Sequence, residues 1–84
     1  MNFTVGWDSD AEHALHVEWA ASSDPAAVRA AAQTAEYLLA LDPSGNGRHL
    51  SEGLWKIRVP PLVIHYTIDM SSRHVQVTDV AHTA

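Results

Sequence analysis

Close to Gly53 the apolar residues of this chain change from helical spacing to strand spacing, and this change limits the folds that the chain can adopt. Between residues 25 and 42 they recur every three or four positions, which is the spacing of one helix face. From Gly53 onward they alternate with polar residues, as in a half-buried strand. With a short alternating segment at residues 3–7, the sequence predicts the element order β-α-α-β-β-β in a single domain that spans residues 1–84.

The first half of the chain predicts two helices that pack together as an antiparallel pair. A helix over residues 10–21 follows a capping box, in which Ser9 and Glu12 would bond the first free backbone N–H groups. A second helix begins at Pro25, where the missing N–H of proline costs nothing, and ends near Asp42. The small alanine side chains of both helices allow a close approach.

The second half predicts three strands. In the first of them, Lys56 and Arg58 lie on the opposite face from the apolar residues. A turn of two prolines leads to residues 62–68, which are apolar on both faces, as expected for a central strand that is covered on both sides. In the last strand, residues 73–82, the phase of the valines shifts, and this shift predicts a β-bulge near Asp79.

The charge balance restricts the partners of the chain. Ten Asp and Glu residues against five Lys and Arg give a net charge of −5. Tight nucleic-acid binders carry the opposite balance, so nucleic acid could be bound only locally. Four of the five cations follow residue 47, so any basic surface should belong to the second half. The absence of cysteine excludes disulfides and thiolate metal sites.

The sequence shows no sign of a membrane partner. No apolar run approaches the roughly 20 residues that cross a bilayer. The first residues lack the basic segment of a signal peptide. We therefore expect a cytoplasmic protein.

Several short motifs occur in an order that resembles a known family. Asp-Ser-Asp-Ala-Glu at residues 8–12 opens the first helix after an aromatic residue, and the second helix ends with Leu-Leu-Ala-Leu-Asp-Pro at residues 38–43. Gly-Leu-Trp-Lys-Ile-Arg-Val at residues 53–59 precedes the two prolines and an apolar strand ending in Tyr66. This order resembles the RelE/ParE toxin superfamily of type II toxin–antitoxin systems, among the members often called plasmid stabilisation proteins. The resemblance implies an α+β fold, with a helical hairpin packed on one face of a mostly antiparallel sheet.

The resemblance also implies a site. Lys56 and Arg58 match basic residues that the ribonuclease members carry on the first strand of the hairpin, whereas Val63 stands where those members have an arginine. His82 and Thr83 stand where a basic pair lies near the end of the last strand. The catalytic residues implied are therefore Lys56, Arg58 and His82. Cleavage of a phosphodiester requires cations for the developing negative charge and an acid for the leaving oxygen. We expect His82 to join the two cations if the bulge resets its phase.

Three functions follow from the resemblance. The chain could be a toxin that acts by binding a target such as DNA gyrase, or a ribosome-dependent endoribonuclease that cleaves messenger RNA. It could also be a degenerate member that serves only as a protein-binding module. A cognate antitoxin is the expected partner, and self-association into a homodimer is compatible with the small core. Whether the chain is an enzyme depends on which function holds, and none of the three implies a cofactor.

Each candidate residue also has a plainer interpretation. Lys56 and Arg58 could be solvated charges that protect a strand from unwanted pairing. His82 could be a terminal strand residue without a task. His13 and His16 share a helix face but lack a third ligand, so we expect no metal site. His65 is more typical of a core histidine with one satisfied nitrogen.

Overall fold

The elements follow the order that the sequence predicts, with two additions. The structure is a computed structural model and describes residues 2–83. The elements are β1 (Thr4–Trp7), α1 (Ser9–Ala21), α2 (Pro25–Leu41), α3 (Pro43–Asn46), β2 (Arg48–Ser51), β3 (Leu54–Val59), β4 (Leu62–Asp69) and β5 (His74–His82). The additions are the single helical turn α3 and the short strand β2, which is exposed at all four positions.

The strands form one five-stranded sheet in the order β1-β5-β4-β3-β2. β1 runs parallel to β5, and all other neighbours are antiparallel. The chain therefore has an α+β fold with a mostly antiparallel sheet. Because the parallel strand β1 comes first and the meander β2-β3-β4-β5 comes last, the helices make the crossover between the two ends of the sheet.

Both helices pack on the same face of the sheet, where the core lies. Ala11 of α1 and Leu39 of α2 are fully buried, as are Ile64 and Tyr66 of β4. Further buried core residues are Val28, Ala31, Ala32, Ala35, Ile57, Leu62, Val75, Val77 and Val80. The alanines on α2 keep this helix close to the sheet, so the predicted helical pair on one face is confirmed.

The helix caps differ from the sequence prediction at one of the two starts. α1 begins at Ser9 with Asp8 as the N-cap, and no side chain caps it, so the predicted capping box does not form. The Asp8 carboxylate instead accepts a hydrogen bond from the Gln76 side chain on β5. α2 begins at Pro25 as predicted, and the side chain of Asp24 accepts a 3.2 Å hydrogen bond from the backbone N–H of Ala27.

The central strand β4 is covered on one face only. Leu62, Ile64 and Tyr66 point to the helices and are fully buried, while Val63 and His65 on the other face are half-buried. The expectation that the strand is covered on both faces is therefore not met within residues 2–83. The apolar character of Val63 belongs to a surface that no helix of the described chain covers.

The predicted bulge is present in β5. Tyr66 of β4 lies opposite Val77, whereas the preceding residue, His65, lies opposite Asp79, so Thr78 has no partner residue. The extra residue turns Val80 toward the core, where it is buried beside Ile64. The two phases of valine in the sequence thus point to the same face of the sheet.

Membrane-spanning character is not found among the helices that the structure describes. Within residues 2–83, none combines the length and the apolar composition that a membrane crossing requires.

Candidate functional site on the open face of the sheet

The sheet face opposite the helices, here called the open face, carries most of the candidate residues. Cross-strand neighbours point to the same side of a sheet, so the strand register identifies its members. Near the β3–β4 turn they are Arg48, Lys56, Arg58, Val63, His65, Asp79 and Ala81, and toward β1 the face continues with Thr67, His74, Gln76 and Thr4. Two rows cross the strands, and both matter for the site.

The first row joins four polar side chains from four strands. Arg48 of β2 lies opposite Lys56 of β3, which lies opposite His65 of β4, which in turn lies opposite Asp79 of β5. Directly opposed residues have Cβ atoms about 5 Å apart. The row therefore runs from two cations through an imidazole to a carboxylate.

The second row is mostly apolar. Arg58 lies opposite Val63, which lies opposite Ala81. Val63 and Ala81 are half-buried and Arg58 is exposed. The second row therefore adds one cation and a small apolar surface beside it.

The structure brings Lys56 and Arg58 together, as expected. Both point to the open face, two residues apart on β3. Within residues 2–83 neither they nor Arg48 makes an ion pair or a side-chain hydrogen bond, so three positive charges remain available to a ligand. Clustered cations without carboxylate partners are suited to hold an anionic group.

His82 does not join them. It lies opposite Leu62, a residue of the helix-facing side, and its Nδ1 atom is 3.3 Å from a carboxylate oxygen of Glu18 on α1. The expectation that the bulge would bring His82 to the cations is wrong, because the extra residue turns Val80 and His82 toward the helices. The catalytic role of Lys56, Arg58 and His82 stays a prediction, but the three side chains do not share a face.

Sequence reasoning missed the contribution of Arg48. It belongs to β2, whose residues Arg-His-Leu-Ser show no apolar alternation, so no strand was predicted there. Its place on the open face follows only from the pairing of β2 with β3.

His65 also differs from its sequence interpretation. The Nδ1 atom of its ring is buried and has no hydrogen-bond partner within the described chain, although a core histidine normally has one satisfied. Its backbone carbonyl accepts a 3.4 Å hydrogen bond from the Thr78 hydroxyl of the bulge. No sequence signal could have placed Asp79 beside this ring, because that depends on which residue is bulged.

A separate network of hydrogen-bonded side chains lies at the β1 edge of the open face. The Thr4 hydroxyl is 2.8 Å from Nδ1 of His74, and Nε2 of His74 is 2.7 Å from the side-chain oxygen of Gln76. The Gln76 amide donates to Asp8. Every member of this network has a partner, so the network is suited to hold β1 against β5 rather than to bind a ligand.

The helical side carries a groove of about 790 Å³ between the two helices and β1. Trp7, Leu15, Trp19 and Val28 supply its apolar wall, and Glu36 accepts a 3.2 Å hydrogen bond from the indole of Trp7. Within residues 2–83 no group of three or more potential ligands is placed to hold a metal ion. The open face, which carries three cations without ion-pair partners in the described chain, is therefore the better candidate for binding a charged ligand.

Two solved structures with a similar fold are chains of toxin–antitoxin complexes. A chain of the toxin–antitoxin complex RelBE2 from Mycobacterium tuberculosis aligns over 99% of this chain and 100% of its own, with a TM-score of 0.83 and 23% identity. A chain of the archaeal RelE–RelB complex from Pyrococcus horikoshii OT3 aligns over 98% of this chain and 96% of its own, with a TM-score of 0.71 and 12% identity.

A third structure contains the fold as one part of a larger chain. TrmO from P. aeruginosa aligns over 95% of this chain but only 33% of its own, with a TM-score of 0.63 and 22% identity. No protein-family model matches the sequence, and no curated protein matches it. In the first two structures the agreement extends over nearly the whole of both chains. This chain therefore has the same fold as these two chains, with two helices on one face of a mostly antiparallel sheet, as its sequence motifs implied.

Proposed function

We propose that this chain is the toxin component of a type II toxin–antitoxin system and that a cognate antitoxin protein neutralises it. The observation that carries the proposal is the fold agreement with chains of two toxin–antitoxin complexes, over nearly the full length of each. The order of sequence motifs supports the same proposal from the residues themselves.

The open face supplies a surface that fits an antitoxin segment. Arg48, Lys56 and Arg58 have no ion-pair partner in the described chain, and Val63 and Ala81 leave half-buried apolar surface beside them. An amphipathic helix with carboxylates along one edge would pair with the cations and cover the apolar strip. We therefore propose that the antitoxin contacts Lys56 and Arg58.

Co-expression with the product of the neighbouring reading frame tests this proposal. We expect the two proteins to co-purify, and the charge reversals Lys56→Glu and Arg58→Glu to weaken the complex. Arg29→Glu is the matched control, because Arg29 is an exposed cation on α2, on the other side of the sheet. A chain that is stable and monomeric alone and does not co-purify would contradict the proposal.

For the target, we propose binding, with DNA gyrase as the candidate, rather than cleavage. Val63 and Thr83 are uncharged at two positions that are basic in the ribonuclease members, and His82 lies on the helix-facing side. Inhibition by binding does not need these groups. Purified chain should then inhibit supercoiling by gyrase, and the antitoxin should restore it. Growth arrest with unaffected supercoiling would contradict this choice of target.

Ribosome-dependent cleavage of messenger RNA is the second candidate, and one observation favours it. Arg48 and His65 join Lys56 and Arg58 on the open face, so this face has one more cation than the resemblance implied, and it has a histidine although His82 lies on the other side. Primer extension on messenger RNA from translating ribosomes would detect codon-specific cuts. Cuts that vanish in Lys56→Ala and Arg58→Ala would favour this candidate over gyrase binding.

A further inference from the structure

The solvent side of α2, here called its outer face, carries little charge for an exposed helix. Its exposed residues are Ala26, Arg29, Ala30, Gln33, Thr34, Glu36, Tyr37 and Leu41. The two charged residues, Arg29 and Glu36, are seven positions apart and so lie on the same flank. The solvent side of a helix is normally lined with charged and polar residues. Tyr37 is 65% exposed and Leu41 is 44% exposed, so apolar surface remains that the described chain does not cover.

The order of residues on the outer face makes this face complementary to itself. Two copies of α2 that run antiparallel around a two-fold axis pair each large side chain with a small one, and each polar side chain with a polar one. The pairs across the axis are Ala26 with Leu41, Ala30 with Tyr37, and Gln33 with Thr34. In such a contact every pair occurs twice, because both copies use the same surface. Large residues opposite small ones let two helices interlock.

A hollow beside α2 has room for the large side chains of a second copy. It holds about 330 Å³ and is lined by Trp19, Pro25, Ala26, Arg29, Ala30 and Gln33. The antiparallel register sets Tyr37 and Leu41 of the second copy opposite Ala30 and Ala26 in the wall of this hollow. The side chain of Trp19, which is 39% exposed, would be covered in the same contact. Each copy therefore carries both the projecting side chains and the hollow that receives them.

The two charges on the flank of α2 also match across the axis. Within residues 2–83 neither Arg29 nor Glu36 forms an ion pair, and the Glu36 carboxylate accepts one hydrogen bond from the indole of Trp7. In the antiparallel register Arg29 and Glu36 of the second copy lie on the same flank, about 3 Å apart along the helix axis. Long side chains bridge such an offset. Two reciprocal ion pairs would therefore favour this register over others.

We propose that the outer face of α2 is the interface of a homodimer, in which two copies of this chain pack antiparallel through α2. The contact from Ala26 to Leu41 is about 23 Å long and uses one helix from each copy. An interface this narrow gives a dimer that dissociates on dilution. The open face lies on the other side of the sheet in each copy and stays accessible. The inference is independent of the toxin proposal, and both hold together if each copy binds its own antitoxin.

Sedimentation equilibrium of the purified full chain, from about 1 μM to 1 mM, covers the range in which weak complexes dissociate. We expect the mass to rise with concentration from the 9.2 kDa of one chain toward twice that value. Arg29→Glu and Glu36→Arg should each raise the dissociation constant about tenfold, because each sets like charges against one another. The double variant should recover the wild-type value.

Glu52→Arg is the matched control for these charge changes, since Glu52 is exposed in the turn between β2 and β3. It should dimerise like the wild type. A chain that is monomeric throughout the concentration range would overturn the inference. So would a double variant of Arg29→Glu and Glu36→Arg that is as weak as the single variants.

Cross-linking tests the register, because the chain has no native cysteine. Thr34→Cys lies beside the axis, so mild oxidation should join two copies across the about 4.4–6.8 Å between Cα atoms that a disulfide spans. Ala26→Cys is the matched control on the same face. Its two copies would lie about 22 Å apart along the helix axes, so it should stay reduced. Equal cross-linking of both variants would contradict the antiparallel register.

Co-expression with the antitoxin separates this interface from an antitoxin site. Arg29→Glu leaves the open face intact, so it should weaken the dimer and still bind the antitoxin as the wild type does. A complex of one toxin and one antitoxin chain that Arg29→Glu abolishes would assign the outer face of α2 to the antitoxin and overturn the homodimer.

Discussion

The hydroxyl of Tyr66 donates a 2.6 Å hydrogen bond to the backbone carbonyl oxygen of Pro43, which lies 23 residues earlier in the chain. Both residues are buried. The bond fixes the turn α3 to the centre of the sheet, and the Asp42 side chain closes the same turn by accepting from the backbone N–H of Gly45 at 3.0 Å. Two hydrogen bonds therefore hold the turn that leads from the helices toward β2.

Removal of this hydroxyl tests how much the bond contributes. Tyr66→Phe leaves the Pro43 carbonyl without its partner, and we expect the free energy of unfolding to fall by about 1–2 kcal/mol in urea denaturation. Tyr37→Phe is the matched control, since Tyr37 is 65% exposed on α2. An equal effect of both substitutions would show that the hydroxyl at position 66 has no special role.

Alkaline pH should weaken the fold through the same residue. Burial, with a smaller effect from the nearby Asp42 carboxylate, raises the pKa of Tyr66 from 10.0 to about 12. The folded chain then holds this proton more tightly than the unfolded chain, so the stabilisation is complete below pH 10 and is lost as the pH rises toward 12. The free energy of unfolding should fall by at most about 1.4 kcal/mol per pH unit over this interval. Tyr66→Phe should lack this part of the pH dependence.

Gly47 should not tolerate a side chain, because the phenol occupies the space. A Cβ atom at Gly47 would lie 1.6 Å from the Tyr66 hydroxyl oxygen and 3.0 Å from the backbone oxygen of Lys56. Gly47→Ala should therefore destabilise the chain by more than about 2 kcal/mol. The double variant Gly47→Ala with Tyr66→Phe should lose less free energy of unfolding than the sum of the two single losses, because the phenol oxygen that it lacks is the nearest obstacle to the new Cβ atom. Strictly additive losses would contradict the clash.

The sequence was sufficient for the elements with a clear apolar period. The α2 stripe and the alternation in β3 each follow from burial of one face, so their type and their partners could be predicted. The strand β2 could not, because Arg48–Ser51 is exposed throughout and forms only by pairing with β3. The capping box of Ser9 and Glu12 does not form because the helix begins one residue earlier than predicted, with Ser9 inside it and Asp8 at the N-cap.

The candidate site was predictable only in part. Lys56 and Arg58 share a face because residues two apart on a strand always do. The place of His82 and Asp79 depended on which residue of β5 is bulged, and the valine phase showed that a bulge exists without showing the direction in which it turns the following side chains. Register beyond a bulge is set by packing of the whole sheet rather than by local sequence.

The network of hydrogen-bonded side chains at the β1 edge of the sheet should hold β1 in place. Gln76→Leu removes the acceptor of His74 and the donor of Asp8 in one step. We expect faster amide hydrogen exchange in β1 and a loss of about 1–3 kcal/mol in the free energy of unfolding. Gln33→Leu is the matched control, because Gln33 is exposed on α2 and its side chain makes no hydrogen bond to the described residues. Unchanged exchange in β1 would show that the parallel pairing alone is sufficient.

A deletion and an insertion in β5 should show whether the bulge or the burial of Val80 contributes more to stability. Deletion of Thr78 places Asp79 opposite His65 in an unbroken register and leaves Val80 opposite Ile64, so we expect the fold to persist with a loss near 1 kcal/mol, on the order of the single hydrogen bond from Thr78 to His65. Insertion of one alanine after Asp79 instead turns Val80, which is 5% exposed, away from the core. That variant should lose about 1.5–3 kcal/mol, the contribution of one buried valine. Urea denaturation of the two variants checks the order, and a deletion as harmful as the insertion would show that the bulge itself stabilises the sheet.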